Sequence, residues 1–309
     1  ATSEKEYFKA ELSIASQIQF GFLPDDTNYK NLSKEVTLSS YMKTAKEVGG
    51  DSYDFFKIDD DHIALLIADA SGKGISAAMF ISTGKILIKS ILLSGKSLCE
   101  TCFIVNNQLC ADNEADIFIT AWIGVYEIST GKLDYVSAGH NAPLIIRDSS
   151  VEYMKMHYNM VLGGMGKTTY LSDSTYLNDN DIIYLYTDGV TEAMDQNQNL
   201  FGEERLRETI AENKLQISTD YITSSIEKLN EFVGNAEQSD DITVLSMRIN
   251  SFNGIHVPAK NENLSVIISY IENQLNNYSC PNKLITYFCI CLDELFSNIV
   301  SYAKTDNNP

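Results

Sequence analysis

The chain has 309 residues, 42 acidic against 23 basic, for a formal net charge of −19. That length leaves room for two domains, and the acidity excludes the basic surfaces that nucleic acids and anionic membranes require.

Residues 3 to about 22 are predicted to form a helix with Phe8, Leu12, Ala15 and Phe22 along one stripe, Ile14 and Ile18 beside it, and Pro24 as its stop. Two readings stand open. The helix either lies on the following domain, or is the end of a longer signalling helix that pairs with a second copy of the chain. From residue 36 to 249 strand patterns dominate, among them VTLSSYM, HIALLIA, FITAWIGVYEI, LDYVSAG, DIIYLYT and DITVLSMRI. Helical period occurs in that stretch only near residues 75–112 and 203–233. Strands joined by hairpins, with helices grouped apart, predict an α+β fold built on antiparallel sheets. The segment ISAAMFISTGKILIKSILL is interrupted by Lys85 and Lys89 and is read as a buried amphipathic helix, so no membrane span is expected.

Near residue 253 the pattern changes. GIHVPA reads as a short strand, Asn261 or Asn263 as the cap of a helix, and Pro281 as the opening of another. The expected organisation is a linker helix over 1–24, a main domain over 25–250 and the start of another over 251–309. The first residue is Ala, which suggests a fragment or processed form. The six cysteines, with Cys99 and Cys102 spaced CxxC and Cys289 and Cys291 flanking Ile290, match neither a zinc site nor a disulfide framework. They fit helix cores in a reducing, cytoplasmic setting.

Four acidic patches carry the chemistry: GGDSYD (49–54), ADASGKG (68–74), YTDGVTEA (186–193) and QSDDITV (238–244). HIALLI delivers Asp69 to a turn, DIIYLY delivers Asp188, and Asp240 and Asp241 open the strand ITVLSMRI. Carboxylates brought together without a basic neighbour repel, and hard divalent cations are the usual compensation. The pattern therefore points to Mg²⁺ or Mn²⁺ on oxygen ligands, with more than one ion.

These patches, with AGHNAPL (138–144) and LYTDGVTEAMDQNQNLFGEERL, resemble the PPM-type bacterial serine/threonine phosphatases, the SpoIIE/RsbU-like branch of the protein phosphatase 2C superfamily. The similarity runs over residues 10 to 250 with five motifs in order. It implies an αββα sandwich and two Mn²⁺ or Mg²⁺ ions at one edge. Asp51 would bridge both ions, Asp69 and the carbonyl of Ala70 would serve neighbouring positions, and Asp188 and Asp240 would complete the set. Asp241, Asp54 and Glu192 would support those ligands from behind, and Lys73 is either a phosphate contact or a solvated loop lysine. Ser71 stands where eukaryotic relatives carry a histidine, which leaves the leaving-group acid unassigned. His140 is expected to be a hydrogen-bonded turn residue.

The implied reaction is hydrolysis of phosphoserine or phosphothreonine by a metal-bridging hydroxide. The implied substrate is a phosphorylated anti-anti-sigma protein of the STAS type, under an upstream sensor domain or activator. Asp293 to Ala303, DELFSNIVSYA, resembles the N-box helix of histidine-kinase-like ATPases of the anti-sigma kinase type. Glu294 and Asn298 there share a helical face, but the glycine-rich segments that would close over ATP are missing. Two alternatives are carried forward. One is a docking module with low intrinsic activity, in which the segment after Asp69 is a regulatory lever. The other is a nucleotide cyclase suggested by GGDSYDFF.

Overall fold

The alternating apolar pattern of residues 36–249 folds, in a computed structural model, into two stacked sheets with helices outside them. The structure describes residues 2–24, 32–111, 113–147, 150–213, 221–250, 260–277 and 280–302. In chain order the described elements begin with α1 (Thr2–Gly21), β1 (Val36–Lys43), β2 (Asp51–Lys57), β3 (His62–Ala70), α2 (Ile75–Leu93) and α3 (Leu98–Ala111). There follow β4 (Ile119–Glu127), β5 (Lys132–Ala138), β6 (Leu144–Arg147), β7 (Ser150–Tyr153), β8 (Tyr158–Asn159), β9 (Asp173–Tyr176) and β10 (Ile182–Tyr186). Last come α4 (Asp188–Thr191), α5 (Glu203–Asn213), α6 (Tyr221–Val233), β11 (Ile242–Ile249), α7 (Leu264–Asn277) and α8 (Asn282–Tyr302).

One sheet has the order β1-β11-β10-β6-β7; the other runs β2-β3-β4-β5-β8, with β9 also on β5. Every ladder is antiparallel except the two-residue pairing of β5 with β8. The period of two sorts each strand's side chains between layers. Tyr53, Phe55, Ile63, Leu65 and Ile67 meet Ile183, Leu185, Leu245 and Met247 between the sheets. Their sequence neighbours Phe56, Ala64, Leu66 and Ala68 face outward against Ala77, Ile81 and Ile88 of α2 and Cys102 and Val105 of α3. Tyr184, Tyr186 and Val244 face the other way, against Leu206, Ile210, Ile226 and Leu229 of α5 and α6. HIALLIA is a continuous apolar run because both its faces are buried. The fold is the expected α+β sandwich of two largely antiparallel sheets flanked by helices.

The expectation that no segment could span a membrane needs correcting. By length and composition two described helices could: α2, with mean hydropathy 1.5 over Ile75–Leu93, and residues Asn282–Ser301 of α8, at 1.4. In α2, however, Ala77, Ile81, Lys85, Ile88 and Leu92 are buried against the sheet, which is the packing of an amphipathic core helix. Lys85 lies in that buried stripe because its ammonium has partners: it donates to the Phe22 carbonyl at 2.7 Å and the Tyr53 carbonyl at 3.0 Å. All six cysteines are free.

The chain divides into two compact units, Ala1–Ser251 and Phe252–Pro309. In the second, residues 261–263 form a short 3₁₀ turn leading into α7, and α8 follows. Ile285, Phe296 and Val300 are buried there, and Glu294 and Asn298 are exposed on α8. GIHVPA lies outside the described residues.

Candidate metal centre

β2 and β3 pair so that Asp51 stands opposite Asp69, which puts two carboxylates at one end of the six-stranded sheet. In the facing sheet, β10 pairs with β11 in a register that sets Tyr186 against Val244. Asp188, two residues beyond Tyr186, and Asp240 and Asp241, just ahead of Ile242, therefore emerge at the same end of adjacent strands. The two sheets bring all four sequence patches to one edge.

Asp51 is almost fully buried, at 2% exposure. Its Oδ2 accepts hydrogen bonds from the hydroxyl of Thr187 at 2.8 Å and that of Thr243 at 2.6 Å. Thr243 lies in β11 of the opposite sheet and Thr187 directly follows its β10, so these bonds fasten the sheets together at the carboxylate. Sequence reasoning missed both. The available signal was a hydroxyl residue directly before Asp188 and another two positions after Asp241, each at a strand end.

The acidic groups perturb one another. Burial and the charge of Asp69 push Asp51 well above the usual carboxylate range, and the Thr243 hydrogen bond partly offsets this. Burial, Asp188 and Asp240 raise Asp69 to about 7. Burial, Glu192 and Asp240 raise Asp188. Carboxylates with raised proton affinity in a shared cleft are groups short of a counter-cation. Among the described residues, though, no three His, Cys, Asp or Glu side chains close on one ion-sized point. The donor set, carboxylate oxygens with a nearby carbonyl, nevertheless has the hard character that Mg²⁺ and Mn²⁺ favour.

The backbone around the carboxylates is tightly constrained. A Cβ added to Gly50 would lie 2.9 Å from the Ala70 carbonyl oxygen and 3.3 Å from Asp69 Oδ1, so these two oxygens face the same glycine. Asp241 supports that approach: Oδ1 accepts the Ala45 N–H at 2.7 Å and Oδ2 the Gly50 N–H at 2.6 Å. Gly189 is set still closer, since a Cβ there would fall 1.8 Å from the Asp241 carbonyl oxygen.

Three other expected residues lie as follows. Asp54 does not reach the centre, because three positions along β2 from Asp51 the period of two turns it to the helical side. It pairs there with Lys89 at 3.1 Å and lies 3.8 Å from Lys85. Glu192 caps α4, where its charge acts on Asp188. Lys73 binds Asp240 Oδ2 at 2.9 Å and donates to the Ser239 carbonyl at 2.6 Å, which makes it a cation already seated at the cleft. Ser71 accepts the Phe118 N–H at 2.9 Å, and His140 is buried between the sheets. The cyclase reading finds no support, since Ser52 and Tyr53 of GGDSYDFF are buried strand residues.

The family model for Stage II sporulation protein E (SpoIIE) matches residues 59–250, more than half of the chain. The chain belongs to the SpoIIE family. It is 28% identical over 268 residues to Protein IcfG of Synechocystis sp., covering 77% of this chain and 41% of that one. It is 26% identical over 248 residues to the phosphoserine phosphatase RsbU of Bacillus subtilis, covering 79% of this chain and 71% of RsbU. The SiaA-PP2C domain of Pseudomonas aeruginosa has a similar fold, with a TM-score of 0.71 at 20% identity over 81% of this chain and all of that domain. The SpoIIE-family chain thus spans less than half of IcfG and most of RsbU. Its relatives support a phosphatase role.

Proposed function

We propose that the chain is a metal-dependent protein phosphatase that hydrolyses phosphoserine or phosphothreonine on a bacterial regulatory protein. The observation that carries this reading is Asp51, buried, held by hydroxyls from the opposite sheet, and set across the β2–β3 ladder from Asp69 at an edge shared with Asp188 and Asp240. Two divalent ions bound there would neutralise the phosphoryl dianion and lower the pKa of a bridging water to about 7. Asp51, Asp69, the Ala70 carbonyl, Asp188 and Asp240 are the groups assigned to hold them. Thr187 and Thr243 orient the Asp51 carboxylate, and Asp241 fixes the Gly50 backbone beneath it. Lys73 is close enough to the cleft to meet a phosphate oxygen once released from Asp240.

By likeness to RsbU, the substrate is assigned to the phosphorylated anti-anti-sigma class, in the cytoplasm and under an upstream sensor or activator. Exposed Ile14 and Ile18 on α1 support pairing with a second copy. The segment containing Glu294 and Asn298 is read as belonging to a kinase-like ATPase domain.

Lys73, seated on the assigned ligand Asp240, favours a second reading, in which intrinsic activity stays low until a partner frees the site. One experiment separates the possibilities. Mn²⁺-dependent turnover of p-nitrophenyl phosphate and a phosphoserine peptide is measured for the wild type, Asp51→Asn and Asp188→Asn. Turnover that disappears in both variants is expected. Turnover that survives in both overturns the site assignment, and an inactive wild type that still binds Mn²⁺ favours the low-activity reading.

A further inference from the structure

We propose that His140 is a positioning residue whose ring ties the strand facing Asp69 to the strand end that carries Asp188. This rests on the metal-centre reading above. The imidazole is 2% exposed, and each ring nitrogen has one partner. Nε2 lies 3.2 Å from the Tyr186 carbonyl, which only accepts, so Nε2 carries the hydrogen. Nδ1 then accepts from the Thr120 hydroxyl at 3.0 Å. Burial lowers the His140 pKa to about 4, in keeping with a neutral ring at neutral pH.

The two partners decide what the ring does. Thr120 stands opposite Asp69 in the β3–β4 ladder, with its hydroxyl 3.5 Å from the Asp69 carbonyl. Tyr186 ends β10 in the other sheet, two residues before Asp188. The ring is therefore a second fastening between the sheets, distinct from the threonine pair on Asp51. Its own place is fixed from behind: Ser137 Oγ accepts the His140 N–H at 3.2 Å and donates to its carbonyl at 3.0 Å.

Few side chains meet these demands. An apolar residue takes this donor away from the carbonyl of buried Tyr186 and leaves the Thr120 hydroxyl only the more distant Asp69 carbonyl. Lysine cannot accept from Thr120. Glutamine has both a donor and an acceptor, but its flexible amide does not hold them in the fixed, diverging directions of the two ring nitrogens. Neutral histidine reaches both with fixed geometry, and it adds no positive charge beside a cleft assigned to cations.

The test measures Mn²⁺ binding by calorimetry for the full chain, His140→Gln, Thr120→Val and the double variant, with the tautomer read by long-range ¹H–¹⁵N NMR. Each single change should weaken Mn²⁺ binding about 10-fold, the usual lower range for groups that orient metal ligands. The double variant should be little worse than either single one, because both cut the same connection. The NMR spectrum should show the Nε2–H form with no titration from pH 5 to 8. Folded variants with unchanged Mn²⁺ affinity, or an Nδ1–H ring, overturn the proposal. Thr120→Val keeps it decisive should His140→Gln fold poorly. A wild-type chain that binds no Mn²⁺ brings down the metal-centre reading first, and the role of His140 with it.

Discussion

Gln19 and Gly49 exchange two hydrogen bonds: the Gln19 amide donates to the Gly49 carbonyl at 2.7 Å, and its oxygen accepts the Gly49 N–H at 3.1 Å. The N-terminal helix is thereby joined to the turn two residues before Asp51. Gln19 is 8% exposed, so cutting it to Ala strands buried backbone groups. Gln19→Ala should destabilise the domain by about 1–3 kcal/mol. Urea unfolding checks this, and a variant with the wild-type midpoint would show that the pair contributes nothing.

The threonines on Asp51 make a second prediction. Hydrogen bonds to a carboxylate favour its charged, ligating form. Thr243→Val removes one of the two donors, and Mn²⁺ affinity should drop about 10-fold. Thr187→Val should act in the same direction. Equal calorimetric isotherms for the variants and the wild type would dismiss the idea.

Gly189 tests the packing beneath α4. A methyl group 1.8 Å from the Asp241 carbonyl oxygen meets only the Asp240–Asp241 backbone, so no side chain can swing away. Gly189→Ala should lose about 3 kcal/mol, a fall of roughly 6–12 °C in melting temperature for a domain this size. A melting temperature within a degree of the wild type would show that the two segments separate easily.

Lys73 should work against metal binding. Its ammonium occupies Asp240, and both groups are partly exposed, so the pair itself is weak. Lys73→Met should tighten Mn²⁺ binding about 2- to 5-fold at low salt, with the gain fading near 1 M salt. Weaker binding in the variant would mean that Lys73 holds the loop in place for the metals.

The buried His140 sets a pH dependence. Burial lowers its folded pKa to about 4, below the 6.5 of a free imidazole, so the unfolded chain takes up a proton in that interval and the folded chain does not. The stabilisation is complete above pH 6.5 and is lost as pH falls towards 4, by about 3 kcal/mol in all. The stability difference between wild type and His140→Gln, followed from pH 7 to 4, should shrink by that order. A difference independent of pH would place the proton elsewhere.

The sequence alone singled out the four acidic patches and the alternating strands that carry them. HIALLI and DIIYLY each end in a turn with an Asp, and alternation along a strand is a local property that survives without knowledge of partners. It could not decide which carboxylates meet. Asp51 and Asp54 look alike in GGDSYD, yet the pleat sends one to the cleft and the other to Lys89. Only the stacking of one sheet on the other brings Thr187 and Thr243 onto Asp51, places Lys73 on Asp240 and seats His140 between Thr120 and Tyr186. Those contacts join residues far apart in the chain, and register and sheet packing, which no short motif encodes, select them.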